Sequence, residues 1–229
     1  MIDVRHCHIH HFKNDLFEKY LTSLPAFMQQ DICRYKMPKD RQSRLLARLM
    51  IQQYLQEKKY DSTLDSWQKT IDEKPFISNG PAFNITHSGD RVAVAFSDQS
   101  IGIDIEKISD VDVQGLSTYL HHQEKIYIDS ASDKQDAFFT IWAKKEAYLK
   151  ATGKGIASGL SKMSVVEDIV SGGSEHWYLR EIVLDQAYKC YVCAPNVVHG
   201  VHIQTYPGQD SQGGQAPDGP VLVPDRDAY

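Results

Sequence analysis

The stretch IGIDIE, residues 101–106, contains two carboxylates in a pattern typical of a short strand. Its isoleucines alternate with Gly102, Asp104 and Glu106. Because successive side chains of a strand point to opposite faces, the two acids stand side by side on one face. Carboxylates this close repel each other unless a cation, a proton or wide solvent exposure relieves the repulsion. The pattern leaves these three possibilities open.

A second stretch, WAKKEAYLK (142–150), would bring a third acid to the first two. Glu146 and Lys150 are four residues apart and share one face of a predicted helix. Trp142 and the aromatic residues before it should bury much of this helix and turn Glu146 inward. Three carboxylates would form an oxygen-only site suited to Mg²⁺, which also accepts phosphate oxygens, and Lys150 would bind the same phosphate. The alternative is an ordinary surface pair of Glu146 and Lys150.

Further donors to phosphate lie in the turn FNITHSGD (83–90) and in KTIDEKPFI (69–77). The first offers hydroxyls, the His87 imidazole and backbone N–H groups, although a hydrogen-bonded turn histidine is the simpler interpretation. The second places Lys69 and Lys74 beside a proline-stiffened turn. On the long predicted helix, Arg41, Arg44 and Arg48 form one stripe, which is either solvated surface or an anion-binding face.

The hydrophobic pattern predicts helices and strands in both halves of the chain. The expected elements are a strand over 2–12, a helix over 38–58, a hairpin formed by RVAVAFSD and IGIDIE with its turn at 98–100, a helix around 114–130, a helix that begins at Ser132 or Asp133 and ends at Gly153, and strands near SKMSVVED, HWYLREIVL and YKCYVCA. Two halves that each combine helices with antiparallel strands predict an α+β chain of two similar lobes.

Composition excludes some classes of function. The 229 residues carry a net charge of −5, which argues against a protein that coats nucleic acid through positive charge. No apolar run reaches the length of a membrane span and the N-terminus lacks the apolar core of a secretory signal. We therefore expect a cytoplasmic protein without a membrane or nucleic-acid partner.

Two other patterns resemble metal sites but have simpler explanations. Cys190 and Cys193 have CxxC spacing in an apolar strand, which puts their sulfurs on opposite faces and predicts ordinary buried cysteines. His6, His8 and His10 would share one face of the first strand. Without a second ligand group of suitable spacing, an ordinary strand is the better interpretation than a zinc site.

Taken together, four motifs in order resemble the Sfp-type 4′-phosphopantetheinyl transferases. They read EKP, FNITHSG, GIDIE and WAKKEAYLKATGKG, and the resemblance spans roughly residues 30 to 195. It implies transfer of the phosphopantetheine arm of coenzyme A to a serine of an apo acyl or peptidyl carrier protein, with release of adenosine 3′,5′-bisphosphate.

The resemblance also implies roles for individual residues. Asp104, Glu106 and Glu146 would hold Mg²⁺, with Mn²⁺ as the alternative, against the pyrophosphate of coenzyme A. Glu146 would take the proton of the serine, Glu124 would assist as a further acid, and Lys150 would contact the phosphates.

By the same resemblance, Lys74, Thr86 and His87 would bind the nucleotide part of coenzyme A. Two positions depart from the family pattern: Glu73 replaces a glycine, and Met28 and Asp31 stand where some members carry basic residues. Arg34, Arg41 or Arg44 would then take over the 3′-phosphate.

The implied fold is an α+β pseudodimer of two similar lobes, each with helices packed on a small antiparallel sheet. Residues 1–107 would form the N-terminal lobe, 108–206 the C-terminal lobe, and 207–229 a disordered or artificial tail. A single chain completes such a site, so we expect a monomer. Two alternatives for the function are another Mg²⁺-dependent phosphoryl-transfer enzyme and a non-catalytic binder of coenzyme A or carrier protein.

Overall fold

The computed structural model describes residues 1–12, 14–154, 159–172, 175–206 and 221–222. The predicted tail over 207–229 therefore lies outside the described residues except for the two at 221–222. Within the described part, no helix has the length and apolar character needed to cross a membrane.

Eleven strands and five α-helices are found in the described residues. In chain order they are β1 Ile2–His8, α1 Phe17–Leu21, α2 Ala26–Cys33, α3 Pro38–Glu57, β2 Trp67–Lys69, β3 Pro75–Ile77, β4 Ala82–Ser88, β5 Arg91–Ser97, β6 Gly102–Lys107, α4 His122–Ser130, α5 Lys134–Thr152, β7 Ile169–Gly172, β8 Glu175–Glu181, β9 Tyr188–Ala194, β10 Val201–Thr205 and β11 Val221–Leu222. The predicted long helix is confirmed as α3 and the predicted second-half helix as α5, with Asp133 as its N-cap and Gly153 in the left-handed conformation at its end.

The strands form two larger sheets and a small ribbon. One sheet has the order β11-β10-β1-β5-β4, the other β6-β9-β8-β7, and β2 pairs with β3. Helix α3 packs on β5, whereas α5 packs on β6 and β9. The predicted α+β fold of two lobes, each a long helix on a small sheet, is therefore confirmed. One pairing differs from the antiparallel expectation, because β10 runs parallel to β1.

A hydrophobic core between the two sheets joins the lobes. It contains Val4 and Ala95 from the first sheet, and Ile103, Cys190 and Val192 from the second. Two further cores lie beneath α3 and α5. The molecule is thus layered as helix, sheet, sheet and helix, and the inner faces of both sheets are removed from water.

Each sheet includes a strand from the other half of the chain, if the chain is divided after residue 107. β6 pairs antiparallel with β9, with Asp104 opposite Tyr191. β10 returns to the first sheet, with Val201 opposite Ile2. The division of the chain after residue 107 stays a prediction, and the exchanged strands bind the two parts to each other.

The predicted hairpin between β5 and β6 is wrong. β5 is flanked by β1 on one side and by β4 on the other, so neither of its edges is free. The hairpin partner of β5 is β4, through the turn at Gly89 and Asp90. Residues 98–101 instead carry the chain from one sheet to the other.

The strand IGIDIE is buried on both faces. Ile101, Ile103 and Ile105 are each at most 1% exposed, as the alternation predicts, but Asp104 is also only 3% exposed. Wide exposure therefore does not relieve the repulsion at Asp104, which leaves a cation or a proton.

The cysteines and histidines behave as expected of structural residues. Cys190 faces the core between the sheets and Cys193 faces the core beneath α5, so they lie on opposite faces, and both are free thiols. β1 ends at His8, and His10 lies in the short 3₁₀ turn that follows, so the predicted shared face of the three histidines is interrupted.

Gly102 permits the close contact of α5 with β6. A β-carbon at this position would overlap the carbonyl oxygen of Ala147 and the backbone nitrogen of Ala151. Because these atoms belong to a packed helix, they cannot yield as a flexible side chain would. The glycine therefore sets the distance between the helix that carries Glu146 and the strand that carries Asp104.

We expect Gly102→Ala to lower the free energy of unfolding by about 3 kcal/mol, because the added methyl group forces α5 away from β6. Urea unfolding monitored by tryptophan fluorescence measures this change. Gly200→Ala is the matched control, since a β-carbon there meets no atom within 4 Å, and it should change stability by less than about 0.5 kcal/mol. Equal stability of the two variants would contradict the close-contact argument.

Candidate functional site

Side chains of β4 join that strand to β6 without a backbone ladder. Three alternate residues of β4 accept hydrogen bonds from three alternate amides of β6: Asn84 from Ile103 at 3.0 Å, Thr86 from Ile105 at 3.2 Å and Ser88 from Lys107 at 3.1 Å. We call this row of contacts the β4–β6 seam. It satisfies buried N–H groups that would otherwise lack partners along this edge of β6.

The same hydroxyls orient the two carboxylates of β6. Thr86 Oγ1 donates to Asp104 Oδ1 at 3.1 Å, and Ser88 Oγ donates to Glu106 Oε2 at 2.9 Å. Each hydroxyl thus accepts from one β6 residue and donates to the residue before it. The sequence reasoning did not assign Ser88 to the site. The signal was present, since Thr86 and Ser88 have the same two-residue spacing as the acids.

Helix α5 brings Lys150 and Glu146 to this seam. Lys150 Nζ lies 2.6 Å from Asp104 Oδ1 and 3.3 Å from Thr86 Oγ1. Glu146, one turn earlier, is half-buried and raises the pKa of Glu106 through its charge. Lys150 is therefore in direct contact with Asp104, whereas the gathering of all three acids at one place stays a prediction.

The carboxylates near Lys150 have raised pKa values, chiefly because they are buried. Burial, and then the charge of Asp104, raises the pKa of Glu106 to about 7. Burial and Asp104 likewise raise the pKa of Glu146, although Lys150 opposes the shift. Burial raises the pKa of Asp104 itself against the effect of Lys150. A site of this kind favours either proton uptake or a bound cation.

One oxygen of Asp104 is left over. Its Oδ2 is buried and has no hydrogen-bond partner, whereas Oδ1 is shared by Thr86 and Lys150. An unpartnered buried carboxylate oxygen with two further acids in the same region suits a hard cation, because such cations prefer oxygen ligands. Within the described residues, however, no three acid, histidine or cysteine side chains converge closely enough to hold a metal ion. The shared metal site stays a prediction.

The residues predicted to bind the nucleotide make different kinds of contact in the structure. Thr86 lies in the β4–β6 seam, and the side chain of His87, next along β4, is exposed. Desolvation, and then the positive charges of Arg44 and Lys150, lower the pKa of His87. Lys74 donates to three backbone carbonyls in the region where α5 ends and β6 begins.

The predicted arginine stripe on α3 divides into structural and exposed members. Arg48 is buried and pairs with Asp31 at 3.1 Å, so it supports the packing of α2 on α3. Arg44 stacks its guanidinium on the ring of Tyr35 at 3.7 Å, and Arg41 Nε donates to the Tyr35 carbonyl. Arg41 and Arg44 remain partly exposed, and the charge of Arg44 acts on His87.

A cleft of about 240 Å³ opens beside the acids. Its walls are formed by residues 72–75, Asn84, Glu146 and the last turn of α5 with Lys150. The cleft therefore places one carboxylate and one ammonium of α5 opposite the turn that contains Glu73. Glu73 has a φ of 62°, the left-handed region that glycine adopts without strain.

Glu124 lies within the C-terminal lobe and is fully buried. Its carboxylate accepts from the amides of His121 at 2.8 Å and Val165 at 3.0 Å, and pairs with Lys145 at 2.9 Å. Lys145 also donates to the carbonyls of Leu160 and Met163. These contacts give Glu124 a structural task, which the sequence reasoning missed together with its partner Lys145. Its assisting role in catalysis stays a prediction.

Two family models match consecutive parts of the chain. The 4′-phosphopantetheinyl transferase superfamily model covers residues 100–197, and a model of the N-terminal region of 4′-phosphopantetheinyl transferases covers residues 12–99. The 4′-phosphopantetheinyl transferase gsp of Aneurinibacillus migulanus is 31% identical over 175 residues, which are 72% of this chain and 74% of that protein. The chain belongs to the 4′-phosphopantetheinyl transferase family.

Other members of this family are similar over a shorter part of their length. The 4′-phosphopantetheinyl transferase Sfp of Bacillus subtilis (strain 168) is 32% identical over 132 residues, 53% of this chain and 59% of that protein. Among solved structures, the holo-(acyl-carrier-protein) synthase of Thermotoga maritima matches 44% of this chain and 65% of its own, with 14% identity and a TM-score of 0.34.

We expect Thr86→Val to lower the free energy of unfolding by about 1–3 kcal/mol, because the Ile105 amide and Asp104 each lose a buried hydrogen bond. Thr86→Ser keeps the hydroxyl and should lose less than half as much stability as Thr86→Val. Chemical unfolding of both variants at pH 7 measures the difference. Equal destabilisation of the serine and valine variants would contradict the role of the seam contacts, because serine keeps the hydroxyl that valine lacks.

Proposed function

We propose that this protein transfers the 4′-phosphopantetheine group of coenzyme A to a serine of an apo acyl or peptidyl carrier protein and releases adenosine 3′,5′-bisphosphate. Membership of the family supports the reaction class. The observation that carries the proposal is the arrangement of Asp104 and Glu106 beside Lys150, with an unpartnered buried oxygen on Asp104. Such a group of acids and one ammonium suits a metal-bridged pyrophosphate.

The chemistry of these side chains, carboxylates with one unpartnered buried oxygen on Asp104, suits a divalent cation. In this proposal Asp104, Glu106 and Glu146 hold Mg²⁺, or Mn²⁺ in its place, against the pyrophosphate. A bound metal would neutralise the charge that builds on the leaving adenosine bisphosphate. Burial raises the pKa of all three acids, the charge of Asp104 adds to the shift at Glu106 and Glu146, and a cation among them would favour their ionised forms.

Two residues of α5 would act on the reacting groups. Lys150 would donate to a phosphate oxygen as a compact positive charge. In the structure it pairs with Asp104, and it would become available to a phosphate when another cation neutralises that acid. Glu146 would accept the proton of the serine hydroxyl, directly or through water.

The remaining parts of the proposal concern coenzyme A and the carrier. Arg44 and His87 lie near Lys150 on the open side of the site and would face the phosphates of the nucleotide. The carrier would present its serine at the mouth of the cleft beside Glu146. Both lobes of one chain contribute to this site, which supports a monomeric enzyme.

Intact mass spectrometry of apo carrier proteins incubated with this protein, coenzyme A and Mg²⁺ tests the proposal. We expect a mass gain of one phosphopantetheine that disappears when EDTA removes the metal. Release of inorganic phosphate without a carrier would favour another phosphoryl transfer. Binding of coenzyme A without any change of a carrier would favour the non-catalytic binder.

Asp104→Asn should lower kcat/KM for transfer by at least about 100-fold, because the amide cannot neutralise a divalent cation as the carboxylate does. Asp98→Asn is the matched control, since Asp98 is exposed and lies just after β5, away from the cleft. The circular dichroism spectra of both variants should match that of the wild type. Full activity of a folded Asp104→Asn variant would exclude the metal assignment.

Glu73 offers a test of the cleft as the nucleotide site. Glu73→Gly and Glu73→Gln both remove a negative charge from the cleft wall and should tighten coenzyme A binding by about 1 kcal/mol or less. Only the glycine variant also relieves the left-handed backbone, so only it should be as stable as the wild type or more so. Isothermal titration calorimetry and thermal unfolding separate the two effects. Unchanged affinity for coenzyme A in both variants would show that the nucleotide does not bind beside this wall of the cleft.

A further inference from the structure

The ammonium of Lys74 is bound by the protein itself. Its Nζ donates to the carbonyl of Lys150 at 2.6 Å, of Ile101 at 3.1 Å and of Ala151 at 3.3 Å. Two of these carbonyls belong to the last turn of α5, and the third belongs to the residue that precedes β6. One side chain from the β2–β3 ribbon therefore connects the end of α5 to the beginning of β6.

Three carbonyls use all three protons of an ammonium group. The last carbonyls of a helix have no partners within the helix and lie at the negative end of its dipole, so a cation is favourable there. The side chain is half-buried, and burial lowers the pKa of Lys74. No proton of the Lys74 ammonium remains for a phosphate while these contacts are made.

The backbone around Lys74 holds it in this position. The Thr70 amide donates to the Lys74 carbonyl at 2.9 Å, and the Lys74 amide donates to Thr70 Oγ1 at 3.2 Å. β3 begins at the next residue, Pro75, whose ring fixes the direction of the chain. A second side chain, Ser100, donates to the Ala151 carbonyl at 2.7 Å. The end of α5 is thus held from two segments of the N-terminal lobe.

We propose that Lys74 is a positioning residue, which holds the last turn of α5 against the start of β6 and so keeps Lys150 and Glu146 directed at the acids of β6. This role rests on the proposed function, because it concerns the geometry of that same site. It differs from the role implied by family resemblance, in which Lys74 binds the nucleotide. The carbonyl of Lys150 is itself an acceptor of Lys74, so the coupling between the two residues is direct.

A double-variant cycle of Lys74→Met and Lys150→Met tests the coupling. We expect Lys74→Met to lower kcat by up to about 100-fold, because a small misplacement of a reacting group has effects of this size. The dissociation constant of adenosine 3′,5′-bisphosphate should change less than about threefold. In the Lys150→Met background, Lys74→Met should lower kcat by a clearly smaller factor than in the wild type, because one of the two residues that it positions is already absent.

Two results would overturn the proposal. One is a dissociation constant raised about tenfold or more with kcat unchanged, which would show that Lys74 contacts the nucleotide. The other is a loss in the double variant equal to the product of the two single losses, since independent residues act additively in free energy. If Lys74→Met does not fold, Lys74→Gln replaces it in the same cycle.

Amide hydrogen exchange gives a readout that does not depend on activity. The Gly153 amide donates to the Leu149 carbonyl at 2.8 Å at the end of α5, and Lys74→Met should speed its exchange about tenfold or more. Lys69→Met is the control, because Lys69 lies on the same ribbon, is exposed and pairs only with Glu73 in the described contacts. Equal exchange in the two variants would overturn the role of Lys74, whereas absence of transfer by the wild type would overturn only the proposed function.

Discussion

The β4–β6 seam is the contact on which the site depends. β6 lies at the edge of its sheet and is buried, so the amides along that edge would be unsatisfied without β4. Asn84, Thr86 and Ser88 supply acceptors from side chains, which joins one edge of each sheet to the other without merging the sheets. Because the hydroxyls that accept from the amides also donate to the acids, the contact that joins the lobes also fixes the direction of the carboxylates.

The site is assembled at a cost in stability. Asp104 is buried with one unpartnered oxygen, Glu106 and Glu146 are half-buried, and burial raises the pKa of all three acids. Gly102 lets α5 approach closely enough for Lys150 to reach Asp104, which offsets part of the repulsion. A region of this kind is typical of functional sites, where charges are held by the surrounding fold rather than by their own attraction.

Several residues that resemble ligand-binding groups in the sequence serve the fold in the structure. Glu124 closes the first turn of α4 and pairs with Lys145, and Lys74 binds the end of α5. Arg48 is buried against Asp31. Helix ends and buried backbone groups need charged partners as much as ligands do, so residue type alone does not separate the two uses.

The sequence by itself determined several local elements and the identity of the family. The alternation in IGIDIE, the cap at Asp133, the left-handed end at Gly153 and the opposite faces of Cys190 and Cys193 all follow from short-range periodicity and backbone preferences. Only the tertiary structure decided that β6 pairs with β9 instead of β5, that β10 returns to β1, and that Thr86 and Ser88 bind β6. Strand pairing depends on contacts between distant parts of the chain, and hydrophobic alternation specifies the face that a strand buries but not the neighbour that it meets.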